Sequence, residues 1–321
     1  MRRLVAVRLL HAVVVLLVVA TVAFLLIKLA PGDPFSYEST SLTAEVRAQL
    51  RAQAGYDRPL LEQYGRFLGN AVRGDLGYSQ LLRVPVTKAI ASRLPNTLLL
   101  MSLALSLSFA FGMLLGVFGV RHRDARAGRV TDRATLFVYS LPDFWLALML
   151  LLLFAYWVPV LPAGGMVDPV MHPYMGPAEA LWDRLKHLIL PLTTLTLLLT
   201  AYIVRYQRAA LLEALPADYV RTARAKGVSE GAVIGRHAFR NALLPMITLA
   251  GLAFPLLLGG AVFVEKVFSW PGMGMLVLTA ISVRDYPLIM AAVMVAAAMV
   301  TLGNLLADIA YAWADPRIRT R

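Results

Sequence analysis

The chain has 321 residues, 59% hydrophobic and 16% charged, with a mean hydropathy of +0.68. A soluble domain is usually about 45–50% apolar and about 25% charged, so an ordinary globular enzyme and a disordered chain are both excluded. The net charge of +12 would suit nucleic acid or an anionic surface, but this apolar fraction places it inside a membrane protein.

A membrane helix takes roughly 20 mostly apolar residues. Six runs predict six spans, at about 9–29, 97–120, 136–158, 188–204, 243–264 and 287–310. The expected fold is therefore all-α and polytopic. It divides into residues 1–30 (the N-terminal end and span one), 31–95 (an external segment), 96–310 (a five-helix core) and 311–321 (a tail).

Span one follows Met1-Arg2-Arg3. Its apolar run outlasts the core of about 7–15 residues in a signal peptide, and Pro31-Gly32-Asp33-Pro34 stands where a cleavage site would be. It reads as a retained anchor. In residues 31–95, Leu42, Val46 and Leu50, then Leu60, Tyr64 and Phe67, recur at helical spacing. Gly69, Gly74 and Gly77 break the pattern, so short amphipathic helices over the external mouth are expected.

Span two carries Ser108, Gly112, Gly116 and Gly119, a small-residue face that lets another helix approach closely. Pro142, Pro191 and Pro255 predict kinks. Ionisable residues in the spans are few. Lys28 is near a span end and can snorkel; Asp143 and Asp308 are read as structurally paired. No mid-membrane relay of the kind a proton pump needs is evident.

Orientation follows from Lys and Arg placement. The N-terminus, the 121–134 and 205–242 connections and the tail hold eighteen Lys/Arg against six acids. Both termini are therefore expected in the cytoplasm, and the +12 reports orientation.

The 205–242 connection has more order than topology requires. Asp218 can charge-complement the start of a short helix ending near Ala225. Tyr219, Val220 and Ala223 form its apolar face, with Arg221, Arg224 and Lys226 as the polar complement. Gly227 stands where a left-handed C-cap belongs, and Ser229-Glu230 can start a second helix. A helix–glycine–helix elbow results.

Chemistry-bearing motifs are lacking. There is no cysteine, no Gly-Lys dipeptide and hence no phosphate loop, and the five histidines show no metal-ligand spacing. Gly227-Val228-Ser229-Glu230-Gly231 has the letters of a nucleophile elbow, but a strand-to-helix turn is not expected there. No catalytic residue, cofactor or metal is assigned to this chain.

The elbow resembles the loop of permease subunits in ATP-driven (ABC) importers. Arg221-Thr222-Ala223, Gly227 and Leu244-Pro245 fall at its matching positions, and Asp218 to Gly227 and Arg236 to Pro245 resemble the variant of peptide and nickel permeases. Pro31-Gly32-Asp33-Pro34, Gly74-Asp75-Leu76-Gly77-Tyr78-Ser79, Arg93-Leu94-Pro95-Asn96-Thr97-Leu98, the stretch Glu265 to Gly274, Arg284-Asp285-Tyr286-Pro287-Leu288 and Asp315-Pro316-Arg317 extend the resemblance along nearly the whole chain. Asp143 is unusual at its position.

That resemblance implies a type I importer permease of the dipeptide/oligopeptide/nickel family, in the bacterial inner membrane. Partners would be a second homologous permease, two cytoplasmic ATPases carrying ATP and Mg, an extracytoplasmic substrate-binding protein and the lipid membrane, with no nucleic acid. It implies that Asp218, Tyr219, Arg221, Thr222, Ala223, Arg224, Ala225, Lys226 and Gly227 form an ATPase-coupling helix. Tyr219, Ala223 and Gly227 would dock, with Arg221, Arg224 and Lys226 at the rim. Phe268, Trp270, Pro271 and Gly272 are candidates for an external gate or docking turn. Peptides are the expected substrate; nickel or another small solute is the alternative, and a stand-alone secondary transporter the more distant one.

Overall fold

The computed structural model describes residues 2–29, 57–253 and 261–314, with residues 45, 49, 52 and 55 besides. Pro31-Gly32-Asp33-Pro34, Leu42, Val46, Leu50, Pro255, the side chain of Asp308 and the 315–321 end of the tail lie outside the described residues.

Helix α1 spans Arg2–Leu29 and α2 Leu60–Val72. The amphipathic face expected of α2 rests on α1: Tyr64 and Thr21 share a 2.6 Å hydrogen bond, and the Phe67 ring stacks on Phe24 at 5.9 Å. A two-residue hairpin follows, Tyr78–Ser79 antiparallel to Val84–Pro85. Helix α3 runs Val86–Arg121, and α4 runs Arg126–Ser140. Helix α5 runs Asp143–Leu151 and continues through a wider π turn, Leu152–Trp157.

After a connection containing a short turn at His172–Tyr174, α6 extends over Pro177–Ala214. His172 Nδ1 lies 2.7 Å from Asp183 Oδ2, tying that connection to α6. Next come α7 (Asp218–Ala225), the single turn α8 (Glu230–Ala232), a π turn over Val233–Ala238 and α9 (Phe239–Ala253). Helices α10 (Val262–Val267), α11 (Met273–Val283) and α12 (Tyr286–Ala314) complete the described chain.

Four stretches are long and apolar enough to cross a membrane: Leu10–Leu29, Val86–Arg121, Pro177–Ala214 and Tyr286–Leu306. The expected third span is not one rod. Its two halves, α4 and α5 with its π turn, meet at 102°, and together they count as a fifth candidate. The cause is Leu141-Pro142: Leu141 is extended (φ −79°, ψ 136°), as the residue before a proline prefers, and Pro142 supplies no N–H. Pro191, in contrast, is carried inside the continuous helix α6. The expected fifth span is α9 up to Ala253, and its remainder crosses residues outside the description.

Helices α3 and α6 form the centre. A Cβ at Gly112 would sit 2.5 Å from Ile203 Cγ2, and one at Gly116 would sit 2.7 Å from Gln207 Cγ. Only glycine permits that approach, and Ser108 Oγ exploits it by donating to the Thr196 carbonyl at 3.2 Å. Along α1, by contrast, Leu10, Val13 and Leu17 are exposed, as side chains facing lipid would be.

Candidate functional site

The elbow at 215–242 is built on a compact apolar cluster. Val220 and Ala223 of α7 are buried against Leu211 and Leu215 of the preceding turns, Val233 and Ile234 beyond the glycine, and Val120 at the end of α3. The same α7 turns leave Tyr219, Arg221 and Thr222 exposed. The short helix is thus amphipathic, with one face claimed by its own chain.

Its C-terminus is closed by a Schellman motif. Gly227 adopts φ +75°, its N–H bonds the Arg224 carbonyl at 3.0 Å, and Val228 N–H bonds the Ala223 carbonyl at 3.2 Å. Val228 also packs on the Ala223 cluster, the hydrophobic contact that accompanies this motif. Arg224 then bridges the turn. Its Nη2 and Nε donate to Glu230 Oε1 and Oε2 at 2.7 and 3.0 Å, a bidentate pair joining α7 to α8. The turn is hydrogen-bonded on both sides of the glycine.

One sequence assignment changes, and one is refined. Ala223 is 5% exposed and faces the chain's own cluster, so it cannot be a docking surface. Arg224 is exposed at the rim, as expected, and is also paired within the elbow to Glu230. What α7 presents outward is Asp218, Tyr219, Arg221, Thr222, Arg224 and Ala225, with Lys226 and Gly227 exposed just beyond its end. Asp218 occupies the first turn and pairs loosely with Arg221 at 3.4 Å. Ser229 precedes α8 without a side-chain cap bond, and no strand leads into it, so the nucleophile-elbow letters have no structural counterpart.

The latch is pH-sensitive in a defined direction. Hydrogen bonding from Arg224 holds the Glu230 carboxyl below the ordinary carboxylate range, against the effect of burial. Its contribution is therefore present above the unfolded carboxylate pKa and lost as pH falls through the lowered folded value. Protection factors of the 227–232 amides, corrected for the intrinsic pH dependence of exchange, should fall on acidification, and Glu230→Gln should remove that dependence. Equal protection at neutral and acid pH in the native chain would contradict the latch.

Two further pairs anchor the elbow's parent helix. Arg208 of α6 pairs with Asp132 of α4, and the Arg205 guanidinium lies 4.3 Å from the centre of the Tyr139 ring. Basic residues read from sequence as topology signals thus also fasten α4 to α6.

The Glu265–Gly274 stretch is a second ordered site, of another kind. Glu265 is fully buried. Its Oε1 accepts from Thr97 Oγ1 at 2.9 Å and its Oε2 from the Met275 N–H at 2.9 Å. Thr97 Oγ1 accepts in turn from the Met273 N–H at 2.7 Å. Asn96 Nδ2 donates to the Pro271 carbonyl, and Trp270 Nε1 donates to the Asn96 carbonyl. A side chain at Gly272 would overlap Glu265 and Thr97.

This geometry corrects the docking part of the assignment for Phe268, Trp270 and Gly272. Phe268 and Trp270 are each 1% exposed and Gly272 is buried, so the turn is a knot tying α10 and α11 to α3 rather than an open mouth. A parallel knot joins the hairpin to α12. Ser79 Oγ donates to Asp285 Oδ2 at 2.5 Å, and the Leu81 N–H reaches the same oxygen at 3.2 Å. Motifs far apart in sequence pair here through carboxylates. Sequence reasoning did not single out Glu265 and Asp285 as anchors, and the signal available was an acid flanked by apolar and turn residues at each place.

Residues 108–320 match the family described as binding-protein-dependent transport system inner membrane component, and residues 1–102 match the N-terminal family of the same membrane components. A provisionally named peptide permease protein of Brucella ovis is 42% identical over 316 residues, covering 97% of each chain. The oligopeptide transport system permease protein AppB of Bacillus subtilis is 37% identical over 313 residues, again covering 97% of each. The glutathione transport system permease protein GsiC of Escherichia coli has the same identity and coverage. The chain belongs to the family of binding-protein-dependent transport system inner-membrane components, and is a multi-pass protein of that membrane.

Proposed function

We propose that the chain is one permease subunit of an ATP-driven importer of peptides, forming half of the route through the membrane. The observation that carries this reading is the elbow: a short helix, buried on one face, closed by Gly227 and latched by Arg224 to Glu230, projecting a small exposed face. Similarity over nearly the full length to relatives named for peptide, oligopeptide and glutathione transport supports the substrate class. The chain crosses the membrane six times with both termini in the cytoplasm.

The partners are a second homologous permease, two cytoplasmic ATPases that bind ATP and Mg, and an external substrate-binding protein. ATP binding draws the ATPases together and displaces α7. Because α7 is packed on the ends of α3 and α6, the displacement reaches the bundle as a rigid-body movement and switches the paired permeases between inward- and outward-facing states. This chain supplies no bond-breaking chemistry.

The test is reconstitution of the complete importer in liposomes with its binding protein and a labelled tripeptide. Uptake should require both ATP and the binding protein. Uptake that persists without ATP and follows a proton gradient would favour a secondary transporter. Orientation is read separately, because a chain without cysteine suits single-cysteine labelling. Lys226→Cys should react with a membrane-impermeant thiol reagent only from the cytoplasm, and Asp168→Cys only from outside; the reverse pattern would overturn the topology.

A further inference from the structure

A cavity of about 480 Å³ opens at the bend between α4 and α5, bounded also by α3, α6 and α9. Its walls are mainly apolar, Met101, Phe109 and Leu199 among them, with the rings of Tyr139 and Tyr202 and one carboxylate, Asp143. Among the described residues, no Lys, Arg or His lines it. Residues 254–260, which continue from the lining residue Ala253, contain no ionisable side chain either.

The sequence reading gave Asp143 a structural partner. Among the described residues the partner is only its own neighbour: Asp143 Oδ1 accepts from the Phe144 N–H at 2.8 Å. No described cation pairs with it. Arg205, the basic residue following this stretch of α6, is placed over the Tyr139 ring. A carboxylate within a membrane-spanning region is costly and faces a partner or a water-filled route. The 102° bend at Leu141-Pro142 brings this one to a cavity wall instead of leaving it within a straight span.

We propose that Asp143 determines substrate charge preference, receiving a cationic group of the passing peptide, an ammonium or a guanidinium, while the apolar and tyrosine walls accept the remainder. Asp143 is exposed beside these apolar walls, where a carboxylate attracts a cation and repels an anion. This rests on the peptide-importer reading and assigns a specificity residue within it.

The experiment uses the complete importer in liposomes, with Ala-Lys-Ala and Ala-Glu-Ala as probes. Each variant's rate is divided by the wild-type rate for the same peptide, which cancels the selectivity of the binding protein. Asp143→Asn should lower Ala-Lys-Ala uptake by about tenfold relative to Ala-Glu-Ala, the scale of one charge-assisted contact. Asp143→Glu should restore the preference, and retained Ala-Glu-Ala uptake shows that the variant is folded. A wild type that moves both peptides while Asp143→Asn changes them by the same factor, or not at all, overturns this assignment alone. A wild type that moves neither peptide with ATP present overturns the peptide reading and the assignment with it.

Discussion

Ala223→Arg should reduce ATP-dependent uptake by about a hundredfold while the chain still reaches the membrane. Ala223 is 5% exposed, beneath α7 and against Val220, Leu211 and Val233. A guanidinium cannot stay there without a partner, and an unpaired buried charge costs about 3–5 kcal/mol. The cheapest relief is to lift α7 off the cluster, which also pulls on the Schellman closure at Gly227. The lever is then slack, and a movement of the ATPases no longer reaches α3 and α6. At about 1.4 kcal/mol per tenfold, even about 3 kcal/mol gives the stated loss. Tyr219→Ala is the complement: an exposed residue whose loss leaves the elbow folded and weakens only what rests on it. Uptake by Ala223→Arg within about threefold of wild type would mean that the seating of α7 is irrelevant to transport.

Glu265→Ala carries the second large effect, on stability rather than coupling. The carboxylate accepts from Thr97 Oγ1 and the Met275 N–H, and it is sealed from solvent. Alanine would orphan both donors and open a void beside Gly272. Each orphaned buried donor costs about 1–3 kcal/mol, so a total of about 3–5 kcal/mol is expected. In detergent the thermal midpoint should fall by roughly 10 °C. Glu265→Gln should fall less, since one acceptor oxygen remains. A Glu265→Ala protein within about 2 °C of wild type would show that the knot does not hold the helices together.

Local features were more legible in the sequence than distant ones. The bounds of α7 and the left-handed Gly227 followed from short-range rules: a charged first turn, small apolar spacing, and a glycine one residue past the last basic position. The close face of Ser108, Gly112 and Gly116 was legible for the same reason, although its partner, α6, was not. Which face of α7 is free depended on residues from four separate segments, and no local pattern encodes that. Trp270 misled because an aromatic in a Pro-Gly turn looks like an interface anchor, whereas its indole N–H is taken by the Asn96 carbonyl inside the bundle. The bend at Leu141-Pro142 was signalled by the proline, but hydropathy alone joined its two sides into one span.

The central claim is that the exposed face of α7 meets the ATPase. The direct measurement is site-specific crosslinking in the assembled importer, with a single cysteine placed in turn at Tyr219, Val220, Thr222 and Lys226. Positions 219, 222 and 226 should crosslink to the ATPase, more strongly when ATP is bound, and position 220, which is buried, should not. Crosslinking that is equal at buried and exposed positions, or absent from all of them while transport persists, would contradict the account.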